Sequence, residues 1–204
     1  MNLKGIILLN GQPYLGKIDT DGAYVICCDG AYNWAEGKVK IDENVGDFDS
    51  LDRVPDPPPT KVYPSGKDYT DGEIALFRLI ERGVDEVEIY GGEGGREDHF
   101  LGNLHLLFHA HSRGVGAMMV TSHGKIFPAS GRVELKGITG KTVSLLPFGG
   151  EVHILCSTGL KYPEPPLISY GECIGISNIV TESLAVIEIA EGDCALIIVN
   201  ERAV

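Results

Sequence analysis

The cysteines are few in usable pairs and poorly spaced for pairing. The five cysteines, Cys27, Cys28, Cys156, Cys173 and Cys194, are odd in number, none pairs at C-x-x-C spacing, and each sits among apolar neighbours. Free cysteine in such surroundings behaves as a small hydrophobe, so neither a disulfide framework nor a thiolate zinc site is expected. Positive charge is also short: 17 Lys and Arg against 29 Asp and Glu leave a formal charge of −12. That balance argues against an electrostatic grip on nucleic acid, which needs clustered basic residues, and against an anionic membrane surface. Cationic ligands, either metal ions or a positively charged small molecule, suit it better. No apolar stretch approaches the length of a membrane span. The opening MNLKGIILLN carries a short apolar run before Asn10 and no cleavage-like site, and reads as a first strand, not as a signal peptide. A cytoplasmic protein is expected. Two familiar nucleotide fingerprints are missing as well. G-x-G-x-x-G would need a glycine where Glu97 stands, and no G-x-x-x-x-G-K-[ST] occurs.

What is present is organised around VGDFDS, residues 45–50, where Asp47 and Asp49 stand two apart behind a glycine. In an extended backbone such residues point to one side, so both carboxylates can converge on a hard cation at a strand end. Before this turn, Gly5–Leu9 and Ala23–Cys28 are continuously apolar, as expected of strands buried on both faces of a parallel sheet. The second runs into Asp29, which is either a ligand contact beyond a strand's carboxyl end or a helix cap. Lys61–Tyr63 is strand-like, and Thr70 with Glu73 has capping-box spacing, placing a helix start near Asp71. Lys67 and Asp68 precede that start without a structural need. Val87–Tyr90 leads into GGEGGREDH, whose glycines let the backbone come close to a ligand and cradle phosphate oxygens. Within it, Arg96 suits phosphate or pairs with Asp98. The helix that follows is expected to turn Leu101, Leu104, Leu107 and Phe108 inward, with His105, His109 and His111 as surface or packing residues. Ala117–Thr121 is the last strand of this half.

Near Ser122–Lys125 the pattern changes. Short runs separated by Gly and Pro take over at 132–135, 142–146, 152–155, 184–189 and 194–199, several of them alternating apolar with polar residues. This is the pattern of an antiparallel sandwich or barrel. Two domains follow: 1–123, an open and mostly parallel α/β sheet flanked by helices, and 124–204, an antiparallel β-sandwich. In the first, Asp29, Asp47, Asp49, Asp68, Asp71 and Asp98 gather at strand ends. Oxygen-only ligands without His or thiolate suit Mg²⁺, and such a site beside a glycine loop with Lys and Arg suits phosphoryl chemistry.

DGAYNW (29–34), GDFDS (46–50), KDYTDGEIAL (67–76), GGEGGREDHFLGNLHLL (91–107), SLLPF (144–148), TGLKYP (158–163) and GISN (175–178) together resemble the ordered motif set of bacterial thiamine pyrophosphokinases. The resemblance implies transfer of a pyrophosphoryl group from ATP to the hydroxyethyl oxygen of thiamine, giving thiamine diphosphate and AMP. It also implies an α/β domain followed by a β-sandwich that binds thiamine and dimerises, and a homodimer with active sites between subunits. It assigns Asp47, Asp49 and Asp71 to magnesium. Asp29, Asn33, Lys67, Thr70, Gly94 and Gly95 go to ATP, with Asp68, Asp71, Arg96 and Asp98 around the reacting groups. Ser177, Asn178 and Tyr162 go to thiamine. Asp71 and Asp98 both remain candidates for the group that orients or deprotonates the hydroxyl. Two positions depart from the family's habit: Ala31, often glycine, and Glu164, often leucine. The rival readings are a pyrophosphokinase for another hydroxymethyl heterocycle, such as a pterin, and a non-catalytic thiamine or nucleotide sensor.

Overall fold

The computed structural model describes residues 3–49, 51–59, 62–64, 66 and 68–201. The chain divides into two compact units, Met1–Ser122 and His123–Val204.

In the first unit, apolar runs alternate with segments of helical period, which is the grammar of a parallel sheet with crossover helices. In chain order it contains β1 (Lys4–Leu8), β2 (Ala23–Cys28), a 3₁₀ turn at Asp29–Ala31, α1 (Tyr32–Ala35), β3 (Glu43–Val45), α2 (Asp71–Glu81), β4 (Glu86–Tyr90), α3 (Glu97–His111) and β5 (Gly116–Val120). The five strands pair in the order β5-β4-β1-β2-β3, every pair parallel. Consecutive strand residues face opposite sides, yet Ile6, Ile7 and Leu8 are all fully buried. Both faces of the sheet are therefore covered, and the uninterrupted apolar run is explained. Ile74, Leu76 and Leu79 of α2 are buried against the sheet. Glu43, 5% exposed at the start of β3, is bonded to Arg78 and lies 3.6 Å from Arg82 and 3.3 Å from the Tyr24 hydroxyl. A buried carboxylate needs such partners, and these tie α2 to β2 and β3.

The second unit contains β6 (Gly124–Ala129), β7 (Arg132–Lys136), β8 (Thr142–Pro147), β9 (Val152–Thr158), β10 (Leu167–Ile168), β11 (Asn178–Ile179), β12 (Leu184–Ile189) and β13 (Ala195–Asn200). They form two antiparallel layers, β11-β8-β13-β6 and β10-β9-β12-β7. Their inward residues, among them Val133, Leu135, Ile154 and Ile187 from one layer and Val143, Leu145 and Ile197 from the other, make one core. This is the sandwich arrangement expected from the alternating pattern.

Three local expectations need correction. Of Lys61–Tyr63, Lys61 lies outside the described residues, and Val62 and Tyr63 are not in a strand. Tyr63 N–H instead donates to the Gly46 carbonyl at 3.0 Å, pinning the loop after β3. Leu101 is 58% exposed, while Leu106, Leu107 and Ala110 are the buried residues of α3. Of the expected stripe, Leu107 is fully buried and Leu104 and Phe108 are partly buried, so Leu101 is the one member that departs. β6 is a strand that the pattern missed, since Pro128 lacks the ladder donor normally needed there. Asn178 of GISN belongs to the two-residue β11.

Candidate active site

In the parallel sheet, β1 is flanked by β2 on one side and β4 on the other, so the chain reverses its winding direction there. Ligands of open α/β sheets bind beyond the carboxyl ends of strands at such a point. The loops leaving β1 and β4 are laced together at this edge. Leu9 N–H donates to Tyr90 O at 2.8 Å, Gly11 N–H to Gly91 O at 2.8 Å and Gln12 N–H to Glu93 O at 2.6 Å. Gly91 sits at φ 69°, and a Cβ on it would meet the Leu9 carbonyl oxygen at 2.3 Å, so only glycine lets the two loops approach. Asn103 of α3 fixes the next residue by donating from Nδ2 to Gly92 O at 2.9 Å. Gly94 and Gly95 follow, both exposed and both at positive φ.

Asp29 follows directly on β2, at φ 42°. The chain after β3 returns to it through Gly46, whose missing side chain matters because a Cβ there would lie 2.9 Å from that of Asp29. As a result, carboxylate oxygens of Asp29, Asp47 and Asp49 all lie within 4.8 Å of one another. The route is not the one read from the sequence. β3 ends at Val45, and Phe48 takes φ 59°, so Asp47 and Asp49 converge through a left-handed turn and not along an extended strand. Asp49 N–H points back to Asp47 Oδ1 at 3.4 Å. A bulky residue in this backbone region is strained, and such strain persists where surrounding structure enforces it.

The remaining candidates divide into several groups. Asp71 opens α2 and is not part of the carboxylate trio, but its backbone carbonyl accepts from Cys28 Sγ at 3.6 Å, one residue before Asp29. Thr70 is the N-cap of α2. Its hydroxyl accepts from Glu73 N–H at 3.2 Å while Glu73 Oε2 accepts from Thr70 N–H at 2.8 Å, so the capping box engages it. Asp68 and Asn33 are exposed, and Lys67 lies outside the described residues. Arg96 and Asp98, at the start of α3, form a forked pair with Nε to Oδ1 at 3.0 Å and Nη2 to Oδ2 at 2.5 Å. The guanidinium beside it holds the Asp98 carboxyl at about 2. Cys27, one strand residue before Cys28, is a fully buried thiol, pushed up to about 12 by burial and then by the charge of Asp29.

In the sandwich unit, Asn178 is 5% exposed. Its Oδ1 accepts from Tyr162 N–H at 3.1 Å and Ile179 N–H at 2.9 Å, and its Nδ2 donates to Tyr162 O and Glu164 Oε1, both at 2.7 Å. The chain itself thus uses all four of its hydrogen-bonding positions. Asn178 is a strut that holds the TGLKYPE loop, while Ser177 at φ 64° and Tyr162 present exposed side chains beside it. Asn10, in an Asn-Gly pair just beyond β1, lies next to Gly30, and Gln12 lies next to Gly94.

Together the parallel sheet and the antiparallel sandwich define a class: two-unit α/β-plus-sandwich proteins, here with three carboxylates gathered at the carboxyl edge of the sheet. Two family models match the chain, the thiamin pyrophosphokinase catalytic domain over residues 17–119 and the thiamin pyrophosphokinase vitamin B1 binding domain over residues 132–192. The chain belongs to the thiamine pyrophosphokinase family. The thiamine pyrophosphokinase of Bacillus subtilis (strain 168) is 33% identical over 159 residues, which cover 74% of each chain. A crystal structure of thiamine pyrophosphokinase from Bacillus subtilis gives a TM-score of 0.83 at 26% identity, covering 98% of this chain and all of the other. One from Geobacillus thermodenitrificans gives 0.82 at 25% identity, with both chains covered in full.

Proposed function

We infer that the chain makes thiamine diphosphate from thiamine and ATP, as its family membership and its similarity to thiamine pyrophosphokinases support. The observation that carries the chemical reading is the meeting of Asp29, Asp47 and Asp49 at the carboxyl edge of the sheet. Their donor set is oxygen only, which fits Mg²⁺ and not a thiolate- or imidazole-binding metal. Asp47, Asp49 and Asp29 would hold the ion, with Asp71 at the adjoining helix start. Bound there, Mg²⁺ supplies positive charge against the charge that develops on the phosphate oxygens.

The reaction we assign is attack of the thiamine hydroxyl oxygen on the β-phosphorus of ATP. The new O–Pβ bond forms as the bridge to the α-phosphate breaks, and its electron pair leaves with AMP. Exposed glycines at Gly94 and Gly95 and the start of α3 suit the ATP phosphates, as does Arg96. We assign Thr70 and Asn33 to ATP and Lys67 and Asp68 to its phosphates, as the family motifs imply. Asp98 anchors Arg96 in a forked pair. We assign orientation of the thiamine hydroxyl, and receipt of its proton, to Asp71 or Asp98. In the sandwich, Ser177 and Tyr162 take the thiamine side, with Asn178 holding the loop that carries Tyr162. We take the working form to be a cytoplasmic homodimer with sites between subunits. Among the described residues no helix is long and apolar enough to cross a membrane.

The test is purified protein with ATP, Mg²⁺ and thiamine, followed by chromatography. Equal amounts of AMP and thiamine diphosphate, abolished by EDTA, are expected. ADP with thiamine monophosphate would overturn the pyrophosphoryl step, and sedimentation as a monomer under assay conditions would overturn the dimer.

A further inference from the structure

The sandwich unit contains a cavity of about 250 Å³ whose lining includes Tyr162, Pro163, Glu164, Ile174, Ile176 and Asn178. Among the residues lining it, Glu164 is the one that carries negative charge. It is half-buried and doubly fixed. Its N–H donates to Ser157 Oγ at 2.9 Å, and its Oε1 accepts from Asn178 Nδ2 at 2.7 Å. Asn178 is itself clamped to both backbone groups of Tyr162, so the carboxylate is held in the wall by a buried network and does not trail into solvent. An amide satisfies one oxygen but does not neutralise the group. Among the described residues no cationic side chain forms an ion pair with it, and Lys161, the nearest basic residue in sequence, lies over the Tyr162 ring at 5.2 Å. Burial pushes the Glu164 carboxyl above its ordinary range, and the Asn178 amide pulls it partly back. A carboxylate left in a partly dry, proline- and isoleucine-rich wall gains more from a cationic ligand than the same group would in water.

We propose that Glu164 is a specificity-determining residue, whose fixed carboxylate on this cavity wall selects a cationic heterocycle over a neutral one of the same shape. The inference rests on the thiamine reading above, and names the feature of the vitamin that this chain selects, the permanent charge of its thiazolium ring. Lys161 already occupies the neighbourhood of the Tyr162 ring, so cation preference comes from Glu164 and not from that ring.

The experiment compares binding of thiamine, by titration calorimetry, with binding of a neutral analogue in which an uncharged thiophene replaces the thiazolium. Glu164→Gln keeps an oxygen acceptor for Asn178 and removes only the charge. It should weaken thiamine about tenfold, the scale of one charge-assisted contact, while the neutral analogue changes less than about twofold. Parallel weakening of both ligands would assign Glu164 a purely structural role, and no change in either would remove it from the site; both overturn the proposal. Should the variant fail to fold, the wild-type protein decides. Thiamine bound about tenfold or more tightly than the neutral analogue supports selection of charge, and equal affinities overturn it. Failure of the underlying reading looks different. A wild-type protein that neither binds thiamine nor forms thiamine diphosphate defeats both, whereas turnover of thiamine without charge selectivity defeats this inference alone.

Discussion

Three carboxylates with oxygens within 4.8 Å of one another repel unless a cation stands among them. Neutralising one should therefore separate function from stability. Asp47→Asn is expected to lower turnover on the order of 100-fold, the scale of a lost metal ligand, while the melting temperature stays level or rises because repulsion is relieved. Added Mg²⁺ should raise the melting temperature of the wild type and not of the variant, as linkage requires; a variant with undiminished, Mg²⁺-saturable activity would refute the assignment. A second residue-scale expectation concerns Asp98. Its folded pKa is depressed to about 2, so the Arg96 pair is intact above the ordinary carboxylate range and is lost as pH falls through about 2. NMR titration of the Asp98 carboxyl should show that midpoint, and Arg96→Gln should return it to the ordinary range. Cys27 gives a third. With its thiol pushed up to about 12 and fully buried, it should resist alkylation at mildly alkaline pH until the protein unfolds, whereas exposed Cys156 and Cys173 react at once. Mass spectrometry of the labelled peptides checks this.

At the scale of the element, α2 is the part whose placement matters most, since Asp71 is its first residue. The capping box fixes where the helix begins. Thr70→Ala removes the hydroxyl acceptor for Glu73 N–H and should cost about 1 kcal/mol, read as a lower denaturant midpoint with an unchanged slope. A loss well above that would mean that Thr70 supports more than the helix end. This helix was legible because a cap is a local signal: Thr70, Glu73 and the apolar residues behind them are neighbours in sequence. The turn after β3 was not legible in the same way. Two aspartates at spacing two predicted convergence, and convergence is what occurs, but by Phe48 in the left-handed region, which no local preference of phenylalanine announces. β6 escaped for the opposite reason. Pro128 argues locally against a strand, and pairing with β13 outweighs it.

The molecule as a whole carries a charge of −12, and its reading as an enzyme for a cationic vitamin makes that charge a matter of rate. Association of thiamine should slow as ionic strength rises, while a neutral analogue should be indifferent, because screening acts on the long-range field. Stopped-flow binding at several salt concentrations checks this, and equal salt dependence for both ligands would contradict it. Each unit has its own core: Ile6, Leu8 and Val25 lie in one, and Val143, Ile187 and Ile197 in the other. The acidic rim belongs to the first and the Glu164 cavity to the second.

Local pattern dictated the sheet and the sandwich, because apolar periodicity sets which residues can be buried in a strand or a helix. It also determined the family motifs and the concentration of carboxylates at strand ends. Which carboxylates meet depended on contacts made across the fold. Asp29 joins Asp47 and Asp49, although it lies far from them along the chain, because parallel pairing of β2 with β3 sets their ends side by side and Gly46 removes the side chain that would hold them apart. The structure likewise gave Asn178 its role as a strut and held Glu164 in a cavity wall. Neither could be read from GISN or TGLKYPE, because strand pairing and burial depend on contacts between residues distant in sequence, and local pattern carries no record of them.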